Sequence, residues 1–183
     1  MISTKGSWPT HSAPRWLVKH FIWVNALVFQ LVWFSSILMQ QDSWPITLLL
    51  LFGHFYLSPQ RRQDVILMFG VTLVGIIMDS SLSALEVFVF ADQVLMPVWL
   101  IFIWLHFALC LNHSLAWLRR IPLVLVALIG AVAGPASYLA GYRLGAVELS
   151  YGSVISGVII AVLWALALPA FVQFSAKLKL SRQ

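Results

Sequence analysis

Apolar residues recur along this chain in runs too long and too unbroken to be the inward faces of a soluble fold. The runs cover His20 to Met39, Trp44 to Ser58, Asp64 to Asp79, Pro97 to Trp117, Ile121 to Ala140 and Gly152 to Phe174, separated by short polar or charged breaks. A hydrocarbon layer about 30 Å thick takes about 20 mostly apolar residues per helical crossing. The pattern therefore predicts an all-α polytopic membrane protein with six transmembrane helices, residues 1–183 forming a single integral membrane domain. The third run is less clean than the others. Its polar patch "DSSLS", Asp79 to Ser83, precedes "ALEVFVFADQVL". That stretch reads either as a tilted continuation of the third span or as a short helix lying on the periplasmic surface before the fourth, and the surface helix is preferred.

Local signals support the boundaries. Ser43 is placed to cap the second helix, with Pro45 in its first turn, and Pro97 opens the fourth. Trp8, Trp16, Trp44, Trp99 and Trp117 fall near the expected interfaces, where amphipathic rings are favoured. Gly130, Gly134, Ser137 and Gly141 in the fifth helix, and Ser153, Gly157, Ala161 and Ala165 in the sixth, recur at helical spacing and predict close helix packing. Pro135 is expected to open the fifth helix just after Gly134 and free carbonyls there, with Tyr138 directed into the bundle.

Composition agrees with the pattern. Of the residues, 61% are hydrophobic and 9% charged, with a mean hydropathy of +0.94, whereas soluble domains carry about 25% charged residues. A net charge of +5 would suit nucleic acid, but the basic residues are scattered and never form a run of five, so no nucleic-acid partner is expected. Their placement speaks of topology. Lys5, Arg15, Lys19, Arg61, Arg62, Arg119, Arg120, Lys177, Lys179 and Arg182 fall on one side of the alternating runs, against Arg143 alone of the 11 basic residues on the other. Asp42, Glu86, Asp92 and Glu148 fall on that other side. The positive-inside rule then predicts a bacterial inner-membrane protein with both termini cytoplasmic. The first run is longer than the 7 to 15 residues of a signal-peptide core and no A-x-A-like site follows it, so it is expected to be retained. Cys110, the single cysteine, has no intrachain disulfide partner.

The candidate chemistry lies within the apolar runs. "LHFALCLNHSLAW", Leu105 to Trp117, places His106, Cys110, His113 and Trp117 on one helical stripe at 100° per residue. Counted inward from the basic loops, Asn25, His54, Asn112 and His113 fall at a common depth of about 9–10 Å. Hydrocarbon offers them no hydrogen bonds, so they are expected to meet inside the bundle as a structural network or as a binding site. No metal site is expected, because catalytic zinc generally takes three protein ligands and this layer shows no carboxylate. No cofactor is required, although His54 with His106 or His113 would permit bis-histidine haem ligation. Nearer the outer side, Thr72, Gly75, Asp79, Ser83 and Glu86 share a face if the third helix continues. Asp79 reads as the one carboxylate within the membrane, either an interfacial loop residue or a group facing Tyr138 or His106.

At "MPVWLIFIWLHFALCLNHSLAWL" and "LIGAVAGPASYLAGYRLGAV" the chain resembles an uncharacterised family of small proteobacterial inner-membrane proteins, domain of unknown function 2878. The resemblance rests on Trp99, Trp104, Phe107, Asn112, Ser114, Leu115 and Trp117, on Gly134, Pro135, Tyr138, Gly141, Gly145 and Ala146, and on Asp79. It implies an inner-membrane location and a lipid-related setting, since relatives are often encoded near enzymes that modify membrane lipids; it implies no reaction.

The leading expectation is thus a helical bundle that binds an apolar or lipid-like ligand, with membrane lipids as its partners. The pocket would be lined by Asp79, His106, Asn112, His113 and Tyr138, with His54 and Asn25 beside them. No catalytic residue is assigned. The alternatives are a scaffold or regulator of another membrane protein, docking through the small-residue faces of the last two helices, or a small transporter. No inverted repeat supports the last. Convergence of Asp79, His106 and Asn112 on one cavity would favour the ligand reading, and their mutual saturation the scaffold.

Overall fold

The computed structural model describes residues 15–90 and 96–180, with side chains from His20 to Lys179 outside that gap. Lys5, Trp8, Asp92 and Arg182 lie outside the described residues, as do the side chains of Arg15, Trp16 and Lys19. Six α-helices follow in order: α1 (Arg15–Met39), α2 (Trp44–Leu57), α3 (Arg61–Ala84), α4 (Val98–Asn112), α5 (Leu123–Arg143) and α6 (Gly152–Leu180). By length and composition four segments are fit to cross a membrane: His20–Leu57, Arg61–Ala84, Leu123–Arg143 and Gly152–Lys179. The first of these joins α1 to α2 through the 3₁₀ turn Gln40–Ser43, while α4 is a shorter apolar helix. Exposed large apolar side chains such as Leu49, Phe69, Val132 and Leu166 cover the outside, as a lipid-facing surface requires.

Local chemistry accounts for where the helices stop. Gln40 takes φ +45 and breaks α1 from α2. Ser43 does not cap α2 as expected: it is itself helical, and its hydroxyl donates back to the Gln40 carbonyl at 2.6 Å. The third helix runs on through Ser80–Ala84, then closes with Glu86 at φ +55 and the Val87 N–H bonded to the Leu82 carbonyl at 2.9 Å. That six-to-one bond around a left-handed residue is the Schellman ending.

The preferred surface helix is therefore corrected where the chain is described. Residues 80–84 belong to α3, and residues 85–90 form an irregular strap. Val89 exchanges two 2.9 Å backbone hydrogen bonds with Glu148, and Ser156 and Tyr151 donate to the carbonyls of Val87 and Leu85 at 2.8 and 2.9 Å. Residues 91–95 lie outside the description.

The fourth element is also shorter than expected. It ends at Asn112, because His113 adopts φ −120, ψ −90, and a 3₁₀ turn follows at Ala116–Arg120. The anticipated stripe of His106, Cys110, His113 and Trp117 is thereby broken. At the same end of the bundle, Arg119 Nη1 donates to the Leu111 carbonyl at 2.9 Å and to Ser175 Oγ at 2.5 Å, tying the loop to α6.

Close packing falls where small residues allow it. A Cβ on Gly134 would meet Trp164 Cγ at 2.2 Å, and one on Gly130 would meet the Trp164 carbonyl oxygen at 2.3 Å. Likewise a Cβ on Gly75 would meet the Trp104 ring at 2.2 Å. Both tryptophans thus press into glycine notches and stack on one another, centroids 5.5 Å apart at 11°. Phe107 and Phe171 meet them edge-on. The expected opening at Pro135 is not seen as a break: α5 runs unbroken from Leu123 to Arg143 with Pro135 inside it.

Candidate functional site

The polar side chains of the interior sort into two clusters. The first lies where α2, α3 and α4 end or begin, beside Arg61, Arg62, Arg119 and Arg120 in the sequence. Its centre is Asp64, in the first turn of α3 and fully buried. His54 Nε2 lies 3.1 Å from Asp64 Oδ2, and His113 Nε2 lies 2.9 Å from Oδ1 and 3.1 Å from Oδ2. Asn112 Nδ2 donates to Oδ1 at 2.7 Å, and the Ser58 hydroxyl donates to Oδ2. Phe21 of α1 covers both imidazoles, its ring centroid 4.8 Å from His113 and 5.4 Å from His54. Next to the cluster, Asn25 Oδ1 accepts from the Ser114 N–H at 3.1 Å and from its hydroxyl at 2.6 Å.

The second cluster lies near the other end of α3. Asp79, fully buried, accepts from Trp104 Nε1 at 2.7 Å and from the Tyr138 hydroxyl at 2.5 Å, which joins α3, α4 and α5. Tyr138 also stacks on Phe88 of the strap, at 5.3 Å and 30°.

These contacts amend the sequence reading in particular ways. His54, Asn112 and His113 meet at one carboxylate, Asp64, which was not anticipated there, and Asn25 binds Ser114 beside them. The reason given for expecting no metal falls with it: the ligand atoms of His54, Asp64 and His113 all lie within 4.8 Å of one another. Asp79 is not the one carboxylate in the interior. It faces Tyr138, as one alternative had it, and Trp104; it does not face His106. His106 joins neither cluster: its Nδ1 lies 2.9 Å from the Phe102 carbonyl, and its buried Nε2 has no partner among the described residues. The His54 and His113 rings, 5.3 Å apart, are both turned to Asp64, with Nε2 of each within 3.1 Å of its carboxylate.

A groove of about 660 Å³ runs beside the clusters, walled by α1 and α5 and floored by α4. Phe29, Phe107 and Trp164 are among the aromatic rings of its apolar lining, and Trp33 Nε1 of α1 donates to Ser137 Oγ of α5 at 2.9 Å within it. Of the seven residues singled out from the sequence, Tyr138 alone lines this groove. The expected single pocket is thus divided into two hydrogen-bonded polar clusters and an apolar groove that touches the Asp79 cluster through Tyr138 and Trp104.

An all-helical chain with several apolar helices of crossing length, polar side chains gathered inside the bundle and an apolar exterior defines a polytopic helical-bundle membrane protein. Within that class, residues 22–170 match the family described as a protein of unknown function (DUF2878), and the chain belongs to it. No curated protein and no solved structure matches the chain.

Proposed function

We propose that this is a six-span inner-membrane protein, with both termini cytoplasmic, that holds the apolar chain of a lipid-like molecule in the groove between α1 and α5. The observation that carries the reading is the groove itself. Its volume of about 660 Å³ lies within the range of ligand sites, about 300–1,000 Å³. Trp99 and Cys110 both line it and lie eleven residues apart on one helix, about 17 Å at 1.5 Å per residue. An apolar lining of that length with few hydrogen-bonding atoms suits a hydrocarbon tail and offers little to a polar solute. Asp79, His106 and Asn112 do not converge on a cavity, an outcome that counts for the scaffold and against a polar-lined pocket, so the ligand reading rests on the groove alone and the polar clusters are assigned to holding the helices in place. The scaffold reading loses part of its support, because Gly130 and Gly134 of α5 are occupied by Trp164 of the same chain.

The test is lipid mass spectrometry on protein extracted in mild detergent, compared with Ala133→Trp, a substitution at an exposed groove position. The expected result is a defined lipid class retained by the wild type and depleted in the variant at equal folded yield. Equal retention by both, or no class enriched over bulk membrane lipid, would overturn the reading.

A further inference from the structure

We propose that His54, Asp64 and His113 form a binding site for one first-row divalent cation of the zinc or ferrous type, which clamps the ends of α2, α3 and α4. The donor set is the first argument. Two imidazole nitrogens and one carboxylate suit zinc, iron, cobalt or nickel, whereas magnesium and calcium call for oxygen ligands throughout.

Geometry is the second. Ligands about 2.0–2.1 Å from a tetrahedral ion stand about 3.3 Å from each other. The two histidine Nε2 atoms lie 2.9 and 3.1 Å from Asp64 oxygens, and all three ligand atoms lie within 4.8 Å of one another, so side-chain shifts of about an ångström or less bring them onto one ion. Three protein ligands leave a fourth position for the second Asp64 oxygen or a water.

Charge is the third. Asp64 has no exposure to solvent, and among the described residues no lysine or arginine pairs with it. Arg61, at the start of the same helix, donates to the Tyr56 carbonyl at 2.7 Å, and Arg119, beyond His113, donates to Leu111 and Ser175. A buried carboxylate needs a compensating positive charge. Only the two imidazoles or a cation between them stand close enough to supply it.

The surroundings are those of a metal centre as well. Asn112 and Ser58 hold the carboxylate by hydrogen bonds, as outer partners hold metal ligands, and Phe21 closes over both rings. The inference is independent of the groove and its lipid.

The test uses full-length, tag-free protein in mild detergent, stripped with a chelator and titrated with Co(II) and then Zn(II). The expected result is uptake of one Co(II) per chain, with the visible bands of a low-coordinate histidine site, displacement by Zn(II), and a higher melting temperature in the loaded form. Asp64→Asn and His113→Gln should each weaken uptake at least tenfold, and Ser58→Ala by about tenfold or more through the carboxylate it holds. The wild-type titration decides the matter even where a variant fails to fold. Folded wild-type protein that takes up no stoichiometric Co(II), or Asp64→Asn protein that takes it up equally well, would overturn the proposal and leave Asp64 as the centre of a hydrogen-bonded network only.

Discussion

Asn112 and Asp64 stand 48 residues apart in the chain, yet the amide of one donates to the carboxylate of the other at 2.7 Å with both side chains buried. The bond joins the last residue of α4 to the first turn of α3. Asp64→Ala leaves the donors of His54, Ser58, Asn112 and His113 facing a void, and is expected to cost about 3 kcal/mol or more. Asn112→Ala removes one donor of several and should cost about 1 kcal/mol. Thermal unfolding in detergent followed by circular dichroism checks both; equal losses would show that Asp64 is not the hub.

Asp79 supplies a comparable case with fewer donors. Tyr138→Phe and Trp104→Phe each remove one hydrogen bond to the same carboxylate and should each destabilise by about 1–2 kcal/mol. The double variant is expected to lose more than the sum, because the second removal leaves the buried carboxylate with no donor among the described residues. Additive losses would mean that water reaches Asp79.

Gly134→Leu should destabilise by about 1–3 kcal/mol, since even a Cβ there meets Trp164 at 2.2 Å. Trp164→Ala in the same chain is expected to relieve part of that loss. A double-mutant cycle on melting temperature reads the coupling, and a zero coupling would contradict the notch.

Reporter fusions after Arg62, Arg120 and Gln183 are expected to read cytoplasmic, and fusions at Gln41 and Glu148 periplasmic. The ground is the placement of all basic residues but Arg143 on one side. A periplasmic signal after Arg120 would invert the arrangement.

The helices were legible because apolar runs announce themselves by length alone, and each of the six expected runs has its helix, with four segments long and apolar enough to cross a membrane. Their ends were less so. Glu86 at φ +55 and His113 at ψ −90 are backbone choices with no glycine to advertise them, so the surface helix and the full-length fourth span were both plausible in one dimension. Asp64 was missed for a different reason. It follows Arg61, Arg62 and Gln63 and looks like the solvated start of a helix; only the turn between α2 and α3 folds His54 back over it. The depth count from the basic loops did find its partners, and applying that count to carboxylates three residues from a loop as well would have found Asp64. The Trp104–Asp79 bond had no signal beyond a buried indole needing an acceptor.

The shortness of α4 bears on how the protein fits its bilayer. Fifteen residues at 1.5 Å reach about 22 Å, roughly 8 Å less than the hydrocarbon is thick. A lipid-facing helix would answer such hydrophobic mismatch by thinning the membrane around it. Residues 106–113 are all buried, so protein and not lipid surrounds the end of α4; the N–H groups of His113 and Leu115 donate to the Cys110 carbonyl and that of Ser114 to Asn25, while the Leu111 carbonyl accepts from the Arg119 side chain. The long apolar lengths offered to a bilayer are therefore those of the exposed outer helices, and the short α4, enclosed at its end by protein, imposes no mismatch of its own there.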